Sequence, residues 1–158
     1  MSAIVQAANP SLLARTTNLI RSVYRGLDSL APVSDLLLRL WVANAFFKAG
    51  LVKAQSIDST ILLFTYEYQV PFLSPEVAAY VGTFTELFFP VLLALGLAGR
   101  FSAIVLFVFN IVAVVSYPGL MDAGIRDHQV WGLMLLVTVL HGPGKLSLDH
   151  LIGRKLGF

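Results

Sequence analysis

Five residues carry most of the chemistry open to this chain: Lys48, Glu86, Asn110, His128 and Trp131. Each stands in a largely apolar stretch. A lysine and a glutamate placed there can form an ion pair or relay a proton, while asparagine, histidine and an indole N–H can hydrogen-bond a carbonyl or hydroxyl group. Ionisable groups in such surroundings are costly unless paired or hydrated, so they are expected to face one another, with Lys48 and Glu86 as the pair. Pro90 adds to this layer. Proline has no N–H to offer the carbonyl four residues back, which belongs to Glu86, so a free backbone acceptor is expected beside the carboxylate. The same residues also read as interhelical hydrogen bonds that hold helices together and bind nothing.

Other chemistries are excluded. The chain has no cysteine, hence no disulfide, thiolate metal site or dithiol relay, and any redox role must use a bound cofactor or a partner. His128 and His141 belong to opposite ends and different faces of one helix, so no metal site is expected. His128, beside Asp127, reads as a helix-end or surface histidine. No Ser-His-Asp arrangement or phosphate loop supports a self-contained hydrolase or ATPase. A net charge of +2 is too small to hold a phosphate backbone, so nucleic acid is not an expected partner.

The elements that must position the layer are membrane helices. The chain is 57% hydrophobic and 13% charged, about half the charge of a typical soluble domain. Its tract from Ser74 to Gly144 is interrupted only by the hairpin Gly96-Leu-Ala-Gly-Arg100 and by Pro118-Gly119. Apolar runs of about 18 residues cross a bilayer. The expected fold is an all-α membrane protein, an antiparallel four-transmembrane-helix bundle with an N-terminal interfacial amphipathic helix. No secretory leader is expected at the start of the chain. Residues 1–33 form the amphipathic segment, whose Leu12, Leu19, Val23, Leu27 and Leu30 oppose Arg15, Arg21 and Arg25. Residues 34–146 form the four-span domain, with an outer-face cap at 53–73, and 147–158 form a tail.

Pro32 and Ser34 mark the entry to the first span, about 35–52, in which Arg39 is expected to snorkel or to pair with Asp35. Ser74-Pro75-Glu76 supplies an N-cap hydroxyl, a first-turn proline and an acid at the positive helix end, starting the second span. The third runs from about Arg100 to Tyr117. The fourth begins near Asp127 and ends at Gly142-Pro143-Gly144, after which Ser147 can cap a short helix. Arginine and lysine collect at the N-terminal segment, the hairpin and the tail. By the positive-inside rule the protein is multi-pass with both termini cytoplasmic.

Two motifs resemble a known family. Glu86-Leu-Phe-Phe-Pro-Val-Leu-Leu-Ala-Leu-Gly-Leu-Ala-Gly-Arg100 is similar to the second-to-third-span signature of DoxX-type membrane proteins. Gly142-Pro143-Gly144-Lys145-Leu-Ser147-Leu-Asp149 resembles that family's closing Gly-x-Gly-Arg-x-Ser-x-Asp pattern, with Lys145 where arginine is commoner. The substitution keeps the charge and loses the guanidinium fork. The resemblance covers about 35–152, gives Pro90, Arg100, Gly142, Pro143 and Gly144 structural roles, and implies a bacterial-type inner (cytoplasmic) membrane protein. It also implies a link to quinone-coupled redox complexes, the association from which the family takes its name.

Three function classes follow. The protein is a quinone-linked accessory or membrane-anchor subunit of a redox complex, a small-solute transporter or exporter, or a non-catalytic membrane scaffold for a partner protein. The first is preferred, with no covalent cofactor, quinone as the bound one, and other membrane or redox subunits as partners besides the lipid bilayer. A homo-oligomer is compatible with all three. They separate on one observation: an apolar slot near Asn110 and Trp131, a hydrated path, or a dry core with Lys48 and Glu86 fully paired.

Overall fold

The computed structural model describes residues 12–157. Ser11 and the residues before it, part of the expected amphipathic segment, lie outside the described residues. Six α-helices and no strand occur among the described residues: α1 (Leu12–Gln55), α2 (Ile57–Tyr66), α3 (Pro75–Leu95), α4 (Gly99–Ser116), α5 (Asp122–His141) and α6 (Leu148–Leu156). Contacts divide the chain at Pro32 into two compact units.

The first unit ends at Pro32 and consists, as far as described, of the beginning of α1. Leu19, Ile20, Val23, Tyr24, Leu27 and Leu30 are all exposed. No helix break separates this stretch from the residues that follow. Pro32 and Ser34 were expected to begin a new helix, whereas Pro32 falls inside α1. A proline removes one backbone hydrogen bond, and the remaining ladder can carry the helix past it.

The second unit holds the core. Val42, Ala43 and Phe46 of α1 pack with Leu93 of α3, Ala103 and Leu106 of α4 and Leu135 of α5, all buried. A smaller cluster joins Phe64 of α2 to Ala78 and Ala79 of α3. Small residues set the closest approaches. A Cβ added at Gly50 would lie 2.9 Å from the backbone carbon of Glu86, so α1 and α3 meet where only glycine fits.

Local chemistry explains the helix ends. Ser74 accepts a hydrogen bond from Val77 N, Pro75 occupies the first turn and Glu76 follows it, so α3 starts where the sequence signals it. It ends at Gly96, in the left-handed region with φ 64°. Likewise Ser147 caps α6 by accepting from His150 N at 3.2 Å. Helix α5 begins at Asp122, earlier than the expected start near Asp127, with Asp122 in its first turn at the positive end of the helix dipole.

Among the described residues, three helices are long and apolar enough to cross a membrane: Ala14–Gln55 within α1, α3 and α4. Helix α5, expected as a fourth span, is not among them. Its first turns carry Asp122, Arg126, Asp127 and His128, which lower the apolarity of the whole helix.

Candidate functional site

Glu86, buried on α3, receives two hydrogen bonds from Lys53 Nζ of α1, 2.8 Å to Oε1 and 2.6 Å to Oε2. The expected partner was Lys48, which instead lies on an exposed face of α1. Helix geometry gives the reason. Gly50 is the residue pressed against Glu86; Lys53, three positions on, shares its face, whereas Lys48, two positions before, points nearly the opposite way. Side chains on a helix also lean toward its N-terminus, so a lysine beyond the contact reaches back to it.

Asn110 and His128 do meet. Asn110 Nδ2 donates to the His128 carbonyl at 2.9 Å, and Asn110 Oδ1 lies 2.7 Å from His128 Nδ1. Gly132 leaves room for this contact, since a Cβ there would come within 3.3 Å of Asn110 Nδ2. Trp131 sets its ring edge-to-face with the His128 imidazole at 4.9 Å. His128 is therefore half-buried and held, not the surface histidine its neighbour Asp127 suggested.

Lys53, Glu86, His128 and Trp131 border one cavity of about 430 Å³. Phe46, Val105, Phe109, Val112 and Trp131 form much of its apolar wall. Lys53, Glu86, Ser116 and His128 supply polar groups. Ser116 ends α4 and is 1% exposed, and its hydroxyl has no hydrogen-bond partner. Its backbone carbonyl is taken by Gln69 N. A buried unpartnered hydroxyl on a cavity wall is uncommon and marks a place where a ligand or water can supply the missing bond.

Aromatic rings close the α2 side. Tyr68 stacks on Phe64 at 4.9 Å and on Tyr117 at 4.8 Å, and Tyr117 donates to Glu67 Oε2 at 3.2 Å. Burial pushes the Tyr68 hydroxyl above its ordinary pKa, and the negative charge of Glu86 adds to the effect. The hydrogen bond to Glu67 raises Tyr117 in the same direction. Both phenols stay protonated at neutral pH.

The structural residues gather elsewhere, around the Gly96 hairpin. Arg39 is 1% exposed; it does not snorkel. Its guanidinium donates to the carbonyls of Leu93 (3.0 Å), Ala94 (3.1 Å) and Leu146, closing the C-terminal end of α3. The Asp149 carboxylate accepts from Ala98 N at 2.8 Å and Gly99 N at 2.7 Å, capping the start of α4. Arg100 Nη2 reaches the Leu140 carbonyl at 3.4 Å. Gly142 and Gly144 adopt φ values of 88° and 76°, and Pro143 fits against Gly99, which has no Cβ to obstruct it. Pro90 is fully buried within α3.

Of the five residues expected to form one layer, Glu86, His128 and Trp131 line the cavity. Asn110 supports it from behind through His128, and Lys48 is outside. Lys53 and Ser116 were missed. Lys53 fell at the start of the expected outer-face cap at 53–73, and Ser116 lay within the expected third span without being singled out.

A family model described as DoxX matches residues 34–118, a stretch that holds Arg39, Lys53, Glu86, Asn110 and Ser116. An uncharacterized protein of Haemophilus influenzae is 33% identical over 127 residues, covering 76% of this chain and 83% of that protein. No solved structure matches. The matched stretch runs from residue 34 in α1 through α3 and α4, takes in the hairpin motif and spans more than half of the sequence, and on that ground the chain belongs to the DoxX family.

Proposed function

We propose that this protein is a quinone-linked accessory subunit of an inner-membrane redox complex, and that the cavity beside the Lys53–Glu86 pair receives the quinone head group. In this reading the second part of α1 and α3, α4 and α5 make a four-span bundle. The hairpin and tail, with Arg100, Lys145, Arg154 and Lys155, face the cytoplasm by the positive-inside rule. The cavity then lies toward the outer side.

The observation that carries this reading is the apolar-walled cavity with an unpartnered buried hydroxyl at Ser116. Its volume of about 430 Å³ lies within the range of small-molecule sites, which combine apolar walls with a few convergent polar groups. A quinone head group is a flat apolar ring with oxygens at opposite ends, so it matches that division. Lys53 has three N–H donors, of which the Glu86 oxygens take two. Glu86 holds the ammonium in place. The chain has no cysteine for a dithiol relay, and in this reading electrons pass between the bound quinone and a partner subunit.

Quinone content of gently purified protein tests the proposal. About one quinone per chain is expected by mass spectrometry of the extracted lipid, falling severalfold in Ala113→Phe, where the new ring occupies the cavity that Ala113 lines. Quinone at the background level of the surrounding lipid in both proteins overturns it.

A further inference from the structure

The hydrogen-bond inventory of the cavity favours one redox form of its ligand. Asn110 cannot be turned over without pointing its oxygen at the His128 carbonyl, which its Nδ2 contacts at 2.9 Å. Its Oδ1 is therefore the atom 2.7 Å from His128 Nδ1, and a carbonyl oxygen at that distance requires the proton to be on Nδ1. Neutral imidazole carries one such proton. Nε2 is then left with a lone pair, an acceptor with no partner among the described residues, on a ring that lines the cavity.

The other polar groups differ from it. The Ser116 hydroxyl can rotate to donate or accept, and the remaining Lys53 N–H can only donate. A ligand that satisfies all of them must accept from Lys53 and also donate to His128. A quinone carbonyl meets the first demand and presents a lone pair to Nε2. A hydroquinone, whose hydroxyls both donate and accept, meets both.

We propose that this cavity selects the hydroquinone over the quinone, with His128 as the residue that discriminates and Asn110 as the residue that fixes its proton. The proposal rests on the quinone reading above and adds to it the oxidation state. It assigns the site to taking up quinol or to retaining it as a product. Sites built to pair a ligand O–H reject analogues lacking that group, because a buried polar atom is left without a partner.

Equilibrium dialysis of the full-length protein in detergent, under argon, against tetramethylbenzoquinone and separately against its hydroquinone tests this. The hydroquinone is expected to bind about tenfold more tightly, the worth of one buried hydrogen bond. In His128→Phe, which keeps a ring against Trp131 and removes the acceptor, the ratio is expected to fall to near one through weaker hydroquinone binding. In Ser116→Ala both forms are expected to weaken by a similar factor, leaving the ratio intact. Equal binding of the two forms to the unaltered protein, or tighter binding of the quinone, overturns the selectivity and leaves the quinone site standing. A preference that persists in His128→Phe overturns the role of His128. Binding of neither form overturns the quinone reading itself. Should His128→Phe fail to fold, the ratio in the unaltered protein still decides the selectivity.

Discussion

Arg39 and Glu86 are both buried ionisable residues on neighbouring helices, yet they are satisfied in different ways. Around Arg39, charge is matched to backbone: its guanidinium and the Asp149 carboxylate bind five main-chain groups, four at the helix ends that flank the Gly96 hairpin and one, the Leu146 carbonyl, just before α6. Around Glu86, charge is matched to a side chain, Lys53. Each region also keeps a buried atom without a partner, Arg39 Nε in the first and Ser116 Oγ in the second, and Ser116 is the one that lines the cavity, together with the His128 ring. The first arrangement supplies partners to helix-end groups that the helices themselves leave unpaired. The second leaves a cavity with polar atoms unfilled, as sites that bind ligands do at some cost to stability.

The sharpest way to break this comparison is at Arg39. Arg39→Leu leaves the carbonyls of Leu93, Ala94 and Leu146 without their donor, and the expected loss of stability is about 3 kcal/mol or more. Reversible unfolding in detergent micelles measures it. The part that stays folded is expected to bind quinol with an unchanged Kd, because the cavity lining does not include Arg39. An unaltered unfolding free energy would remove the distinction between the two regions.

Next in size is the ion pair. Lys53→Met leaves the Glu86 carboxylate buried and alone, at a cost of about 2–4 kcal/mol. The double variant Lys53→Met, Glu86→Leu is expected to recover most of that, since exchanging a buried pair for apolar side chains is often near neutral. Lys48→Met, on the exposed face, should change stability by no more than about 0.5 kcal/mol. The same unfolding measurement ranks all three, and a Lys48 effect as large as that of Lys53 would show that the pairing has been assigned to the wrong lysine.

How much of this was legible in the sequence depended on the range of the interaction. Caps at Ser74 and Ser147 are local, set by residues within one turn, and were readable with the helix they start. The hairpin and closing motifs were visible as patterns. Their joint purpose was not, because Asp149 acts on Ala98 and Gly99 across about fifty positions of sequence. Glu86 stood out as an acid in apolar surroundings, while its partner was misassigned because heights along a helix were counted without the facing and backward lean of the side chains. Ser116 carried no signal. Its hydroxyl matters only because three-dimensional packing buries it and gives it no partner. Pro32 was over-read, since a local preference for breaking a helix yielded to continuation of α1.

Ser116→Ala gives the smallest effect and the most informative sign. Removing a structural polar group lowers stability, as in Arg39→Leu. Removing a buried hydroxyl that has no partner also removes the cost of having desolvated it, so the expected change is a gain of up to about 1 kcal/mol. Binding of quinol should move in the opposite direction, weakening severalfold in the same protein. Stability and affinity shifting together would mean that the hydroxyl belongs to the packing after all. Opposite shifts would place Ser116 among the residues whose burial is tolerated for the sake of a ligand, and would separate the cavity from the hairpin region by a measured sign, independent of any magnitude.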